Sequence, residues 1–246
     1  MAQALSLGFA QLGLHTELQH AVAQAGLTEP TPIQVEAIPQ VLDGRDVWAQ
    51  AQTGSGKTLA YVLPLLHLLM ATAASREAAP HKRITRVLVL VPTRELATQV
   101  SVVLRDLARP LRQSIKVGTL FGGVSINPQM MSLRSGAEVV VATPGRLLDL
   151  VDHNALNLGQ VQHLVLDEAD RLLDLGFAEE LQRVLACLPN KRQNLLFSAT
   201  FASEVQSLAE ALLHQPARIT IANTEATGPD IAQRVIAVDD KKRTAL

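Results

Sequence analysis

Apolar residues along this chain fall into two alternating kinds of segment. Short, nearly continuous runs of β-branched and aliphatic residues occupy 46–51, 86–91, 116–121, 138–142, 163–167 and 194–198. Runs without alternation suit strands buried on both faces, as in a parallel sheet. Between them, apolar residues recur at helical spacing over 57–70, 95–108, 128–133, 145–151, 179–188 and 203–213. Strand-helix-strand repetition of this kind predicts an α/β fold with a doubly wound, mainly parallel sheet flanked by helices. Pro64 falls inside the first of those helices and predicts a kink there rather than an end.

The flanks read differently. Residues 1–45 form a helical preface to the same domain: an amphipathic stretch over 16–25, the segment GLTEPTPIQ at 26–34, and a second helix over 35–42. The core spans 46–222. Residues 72–85 mix small and polar types with a proline and read as an exposed loop, and 223–246 read as a linker.

Composition narrows the class. The chain has 246 residues, 48% of them hydrophobic and 18% charged, which suits one large domain or two small ones and excludes a disordered chain. One cysteine cannot make an internal disulfide, so a reducing, cytoplasmic setting is expected. The N-terminus lacks the basic n-region of a signal peptide, and no apolar run reaches membrane-spanning length. A net charge of −1 argues against coating nucleic acid by bulk electrostatics, but leaves room for local phosphate contacts.

The strongest chemical signal is AQTGSGKT, Ala51 to Thr58, between a strand and a helix. Gly54 and Gly56 let successive backbone N–H groups curl around an anion at the helix N-terminus, with Thr53 and Ser55 in the same loop. Lys57 is placed to reach the β- and γ-phosphates of a nucleotide, and the Thr58 hydroxyl to ligate Mg²⁺. The general pattern begins with glycine, so Ala51 must have ordinary backbone angles.

The second signal is VLDEAD, Val165 to Asp170, at the end of another strand, expected to neighbour the first. Asp167 suits a role in holding Mg²⁺, and Glu168 one in orienting or deprotonating an attacking water. By themselves these residues also fit an acidic turn with Asp170 at a helix start.

Taken in order, AQTGSGKT, DEAD and Ser198-Ala199-Thr200 resemble the DEAD-box ATP-dependent RNA helicases, specifically the first of their two RecA-like domains. GLTEPTPIQ is similar to that family's Q motif, which implies that Gln34 reads the adenine edge, with Leu27 and Thr31 nearby. Phe9 stands 17 residues before Gly26, where the family has an isolated aromatic. Most members carry Phe or Tyr at the position of Leu27, so the resemblance implies modest adenosine nucleotide affinity here. PTREL (Pro92, Thr93 and Arg94), Gly122-Gly123 and TPGR (Thr143, Gly145 and Arg146) match the family's RNA-backbone motifs. Hydroxyls, guanidinium groups and glycines at strand ends position a strand without reading its bases. The resemblance further implies that Asp170, Ser198 and Thr200 couple the ATP site to domain closure.

The chain contains no HRxGRxxR motif, which in this family supplies an arginine finger from the second domain. The residues after Thr200 are too few for another α/β domain, so the chain is expected to be the N-terminal half of a helicase, nearly inactive alone. Two other readings stand beside this one: a different P-loop enzyme such as a DNA helicase or transport ATPase, and a binding module with defunct catalysis. Cys187 and Trp48 are expected in the core, and the histidines lack metal-ligand spacing.

Overall fold

The computed structural model describes residues 8–73, 83–200 and 202–221. Seven strands form one sheet: β1 (Val47–Gln50), β2 (Val87–Leu90), β3 (Val117–Leu120), β4 (Val139–Ala142), β5 (His163–Leu166), β6 (Gln193–Ser198) and β7 (Ala217–Thr220). Their spatial order is β3-β4-β2-β5-β6-β1-β7, and every pairing is parallel. The runs VLVL of β2 and VVVA of β4 are buried at every position, as continuous apolar strands require.

Successive residues of each strand feed opposite cores. Val47 and Ala49, Val87 and Val89, Val139 and Val141 face one side, with Ile33 and Ile38 of α2 (Pro32–Leu42), Leu63 and Leu66 of α3 (Lys57–Ala73), and Leu104 of α4 (Arg94–Ala108). α1 (Thr16–Gln24) completes this layer through Leu18 and Val22. Trp48, Leu88 and Val140 face the other side, with Leu147 of α6 (Pro144–Asp152), Leu172 of α7 (Ala169–Asp174), Leu181 of α8 (Ala178–Ala186) and Val205 of α9 (Ser203–Leu212). α5 (Asn127–Ser132) follows β3 on the second side, with Met130 packed against it. This is the doubly wound arrangement expected from the pattern. No helix among the described residues is long and apolar enough to cross a membrane.

Several expectations need correction or extension. The phosphate-loop strand and the DEAD strand are not neighbours, because β6 lies between β1 and β5. β7 and a short 3-10 turn at Phe9–Leu12 were not anticipated, and α7 was anticipated only as a helix start at Asp170. α3 runs unbroken through Pro64 to Ala73, with Leu63, Leu65 and Leu66 buried around the proline. Cys187 is exposed: α8 ends at Ala186, and the cysteine is its C-terminal cap rather than a core residue. Trp48 is buried, with the Arg218 guanidinium of β7 lying 4.6 Å above its ring. Most of the loop at 72–85 and all of the 223–246 linker fall outside the described residues. At the loop's far end Arg83 is tied down, its Nε 2.9 Å from Glu138 Oε1.

Candidate functional site

Because every strand is parallel, the loops that follow them open on one edge of the sheet, where α/β proteins place ligands. Residues 51–56 follow β1, 91–93 follow β2, 121–126 follow β3, Thr143 follows β4, Asp167 and Glu168 follow β5, and Ala199 and Thr200 follow β6. All of the motif residues after the preface therefore come to a single rim.

The phosphate loop turns with Gly54 at φ 81° and Gly56 at φ 94°, conformations that strongly favour glycine. Ala51 adopts no such angle: the positive-φ non-glycine residues among those described are Asn154, Glu168 and Gln215. Ala51 is instead held as an extension of β1, its N–H donating to Ser198 O at 3.1 Å. Lys57 is buried, and its Nζ donates to Ala51 O at 2.6 Å, closing the loop on itself. Ser55 Oγ donates to Gln52 O at 2.7 Å, Thr53 is exposed, and Thr58 is half-buried at the start of α3.

The preface fastens onto this loop. Gln34 is 2% exposed; its Oε1 accepts from Thr31 N and its Nε2 donates to Gly56 O, each at 3.0 Å. A Cβ on Gly56 would collide with Gln34 Nε2 and with Thr31 Oγ1, so glycine is required by space as well as by angle. Thr31 Oγ1 is buried without a partner. Leu27 is half-buried, one wall of a cleft of about 790 Å³ that also touches Leu59 and Val103. Phe9 is only 6% exposed and packs in the first core with Leu12 and Leu14, a supporting position rather than an open ligand surface.

The acidic loop is built around Asp167, 2% exposed. Its Oδ2 accepts from the Tyr61 hydroxyl at 2.8 Å and its Oδ1 from Glu168 N at 2.9 Å. Burial pushes the Asp167 carboxyl up to about 6, partly offset by the Tyr61 hydrogen bond and the Lys57 charge. Burial, then the Asp167 charge, raises the Tyr61 phenol well above its ordinary value. Glu168 sits in the left-handed region, φ 51° and ψ 53°, which costs a non-glycine residue about 1 kcal/mol. Its carboxylate lies 3.4 Å from Arg171 Nη1. Asp170 Oδ2 accepts from Ala199 N at 3.1 Å, Thr200 N at 3.0 Å and Thr200 Oγ1 at 3.2 Å, while Ser198 Oγ donates to Thr200 O at 2.8 Å.

Farther along the rim, Thr93 Oγ1 caps α4 by accepting from Leu96 N at 3.2 Å. Pro92 is buried beside it, and Arg94 is exposed, 3.3 Å from Glu95. Arg146 is 9% exposed; its Nη2 donates to Val124 O at 2.7 Å, its Nε lies 3.5 Å from Asp149 Oδ2, and its Nη1 has no hydrogen-bond partner. A buried guanidinium with spare donors can take a phosphate oxygen. A Cβ at Gly122, Gly123 or Gly145 would meet nothing within 4 Å, so the surface above these glycines is open. Thr143 lies buried between the two groups.

The structure thus gathers two sets of the expected residues, one around Lys57 and Asp167 and one around Arg146 and the glycine pair. Two contributors are not singled out by the sequence pattern. Tyr61 reads as one more apolar position in α3, yet it stands one helical turn after Lys57, spacing that aims both at the same end of the helix. Gln129 holds the glycine loop, exchanging hydrogen bonds with Phe121 N and O at 3.2 and 3.1 Å. As for metals, Thr58 and Asp167 offer hard oxygen donors. No group of three His, Cys, Asp or Glu residues that could hold a metal occurs among the described residues. Few protein oxygens, with phosphate and water completing the shell, is the donor set of Mg²⁺ beside a nucleotide.

Known proteins are similar to this chain over most of its length. The DeaD ATP-dependent RNA helicase of Klebsiella pneumoniae is 41% identical over 225 residues, 92% of this chain and 33% of that protein. The CshA DEAD-box ATP-dependent RNA helicase of Bacillus cereus is 39% identical over 235 residues, 96% of this chain and 43% of that protein. The chain thus spans only about a third to two-fifths of the length of these relatives. A crystal structure of a DEAD box protein from Methanococcus jannaschii superposes with a TM-score of 0.77 at 34% identity, covering 87% of this chain and 55% of that one. Its likeness identifies the sheet as RecA-like. The DEAD/DEAH box helicase family model matches residues 31–208, from the capping Thr31 to α9, and the chain belongs to that family.

Proposed function

We propose that this chain is the N-terminal, ATP- and Mg²⁺-binding RecA-like domain of a cytoplasmic RNA helicase. It grips the RNA backbone, and joined to a second RecA-like domain it couples ATP hydrolysis to local duplex opening. The convergence of Lys57 on α3 with Asp167 and Glu168 after β5, across the intervening β6, carries this reading. Within it, the phosphate-loop N–H groups and Lys57 hold the nucleotide phosphates, and Thr58 and Asp167 hold Mg²⁺. Bound Mg²⁺ supplies positive charge against the phosphates. Glu168 orients and accepts a proton from the attacking water, and its 3.4 Å contact with Arg171 must loosen for it to do so.

Gln34 and Leu27 receive the adenine, with Phe9 supporting the segment that carries them. Pro92, Thr93, Arg94, Gly122, Gly123, Thr143, Gly145 and Arg146 form the RNA-backbone rim. Asp170, Ser198 and Thr200 pass the state of the ATP site to that rim through the hydrogen bonds between the acidic loop and the end of β6. Residues 223–246 serve as the linker to the second domain.

An arginine finger contributes roughly 10³-fold or more to phosphoryl transfer, and no HRxGRxxR motif occurs in these 246 residues. A steady-state ATPase assay of the chain with and without RNA tests the reading. The expected outcome is slow turnover that RNA does not accelerate; robust RNA-stimulated hydrolysis by this chain alone would overturn it.

A further inference from the structure

Against Asp167, one of the residues that offer oxygen donors to a cation, stands a side chain that neither motif contains. The Tyr61 hydroxyl is completely buried and donates to Asp167 Oδ2 at 2.8 Å. Its ring is fixed against Phe197 of β6, centroids 5.3 Å apart at 55°. Glu168 N takes the other carboxylate oxygen of Asp167 at 2.9 Å. The Asp167 carboxylate is therefore clamped from both sides, by a backbone group of its own loop and by a side chain of the phosphate-loop helix. That second contact is a direct side-chain hydrogen bond between the P-loop helix and the acidic loop, which sit on strands separated by β6.

We infer that Tyr61 is a positioning residue for the Mg²⁺-nucleotide site, orienting the Asp167 carboxylate so that it faces the cation. The inference rests on the ATP-binding reading above and adds to it a residue outside AQTGSGKT and DEAD. A phenol suits the task because its O–H can donate to the carboxylate while the ring stays packed. Phenylalanine fills the same space without the bridge, so Tyr61→Phe separates orientation from packing.

The test is equilibrium titration of the chain with a fluorescent ADP analogue, in Mg²⁺ and in EDTA, with thermal melting of each protein alongside. Tyr61→Phe is expected to leave affinity in EDTA within twofold of wild type. The gain in affinity that Mg²⁺ confers should fall about five- to tenfold, the scale of one intramolecular hydrogen bond. In the Asp167→Asn background the further change Tyr61→Phe should have no effect on Mg²⁺ dependence, because the partner it serves has already gone. A merely structural tyrosine would lower the melting temperature and weaken binding equally in both buffers, and that result overturns the inference. So does a Tyr61→Phe protein with wild-type Mg²⁺ dependence. If wild type itself binds no nucleotide, the ATP-binding reading falls first and this inference with it.

Discussion

Asp167 is where burial and chemistry oppose each other most sharply. Its carboxyl is pushed from 3.8 up to about 6 in the folded chain, chiefly by burial. Between those values the native state binds the proton more readily than the unfolded state does. Stability from this group is therefore greatest below pH 4 and declines as pH rises to about 6. Asp167→Asn removes that loss. Urea denaturation of the ligand-free chain at pH 7.5 should show the variant more stable by about 1 to 3 kcal/mol, with the gap closing at pH 4. A gap independent of pH would contradict this assignment. Leu27 offers a second residue-scale test: an aromatic there adds stacking worth ~1 kcal/mol, so Leu27→Phe should tighten ATP binding about fivefold. Unchanged or weaker binding by calorimetry would count against adenine lying on this position. The glycines of the phosphate loop were legible in the sequence because only their backbone freedom explains them. Tyr61 was not, since an aromatic inside an apolar helix reads as core, and its hydroxyl finds Asp167 only through tertiary packing.

At the scale of elements, six strands were legible because each is a continuous apolar run between helical stretches. β7 escaped because its residues ARIT alternate buried and exposed on the sheet edge, a pattern too short to stand out. α7 showed only as a helix start at Asp170, because its six residues are too few to display a helical period. The insertion of β6 between β1 and β5 is a matter of strand order, which local pattern does not encode. That insertion puts the Ser198-Ala199-Thr200 segment against the acidic loop, where Asp170 accepts from two backbone N–H groups and the Thr200 hydroxyl. Asp170→Ala cuts all of these bonds without touching the phosphate loop. In a protein carrying both RecA-like domains, ATP affinity should stay within twofold of wild type. RNA-stimulated turnover should drop more than tenfold, the loss of a charge-assisted network. Equal losses in affinity and turnover would instead make Asp170 a general support of the site.

For the whole molecule, the all-parallel sheet makes the proposed function compatible with a net charge of −1. Every motif loop emerges on one rim, so a few cations and open glycine surfaces act at chosen places rather than through a broad basic face. On the same rim Lys57 closes on Ala51 O and Glu168 on Arg171, contacts that phosphates and water can replace. Isothermal titration of the 246-residue chain with Mg²⁺-ADP tests the central claim most directly. Saturable binding at one site, weakened at least tenfold by Lys57→Ala with the fold intact, is the predicted result. No binding, or full affinity in Lys57→Ala, would contradict it.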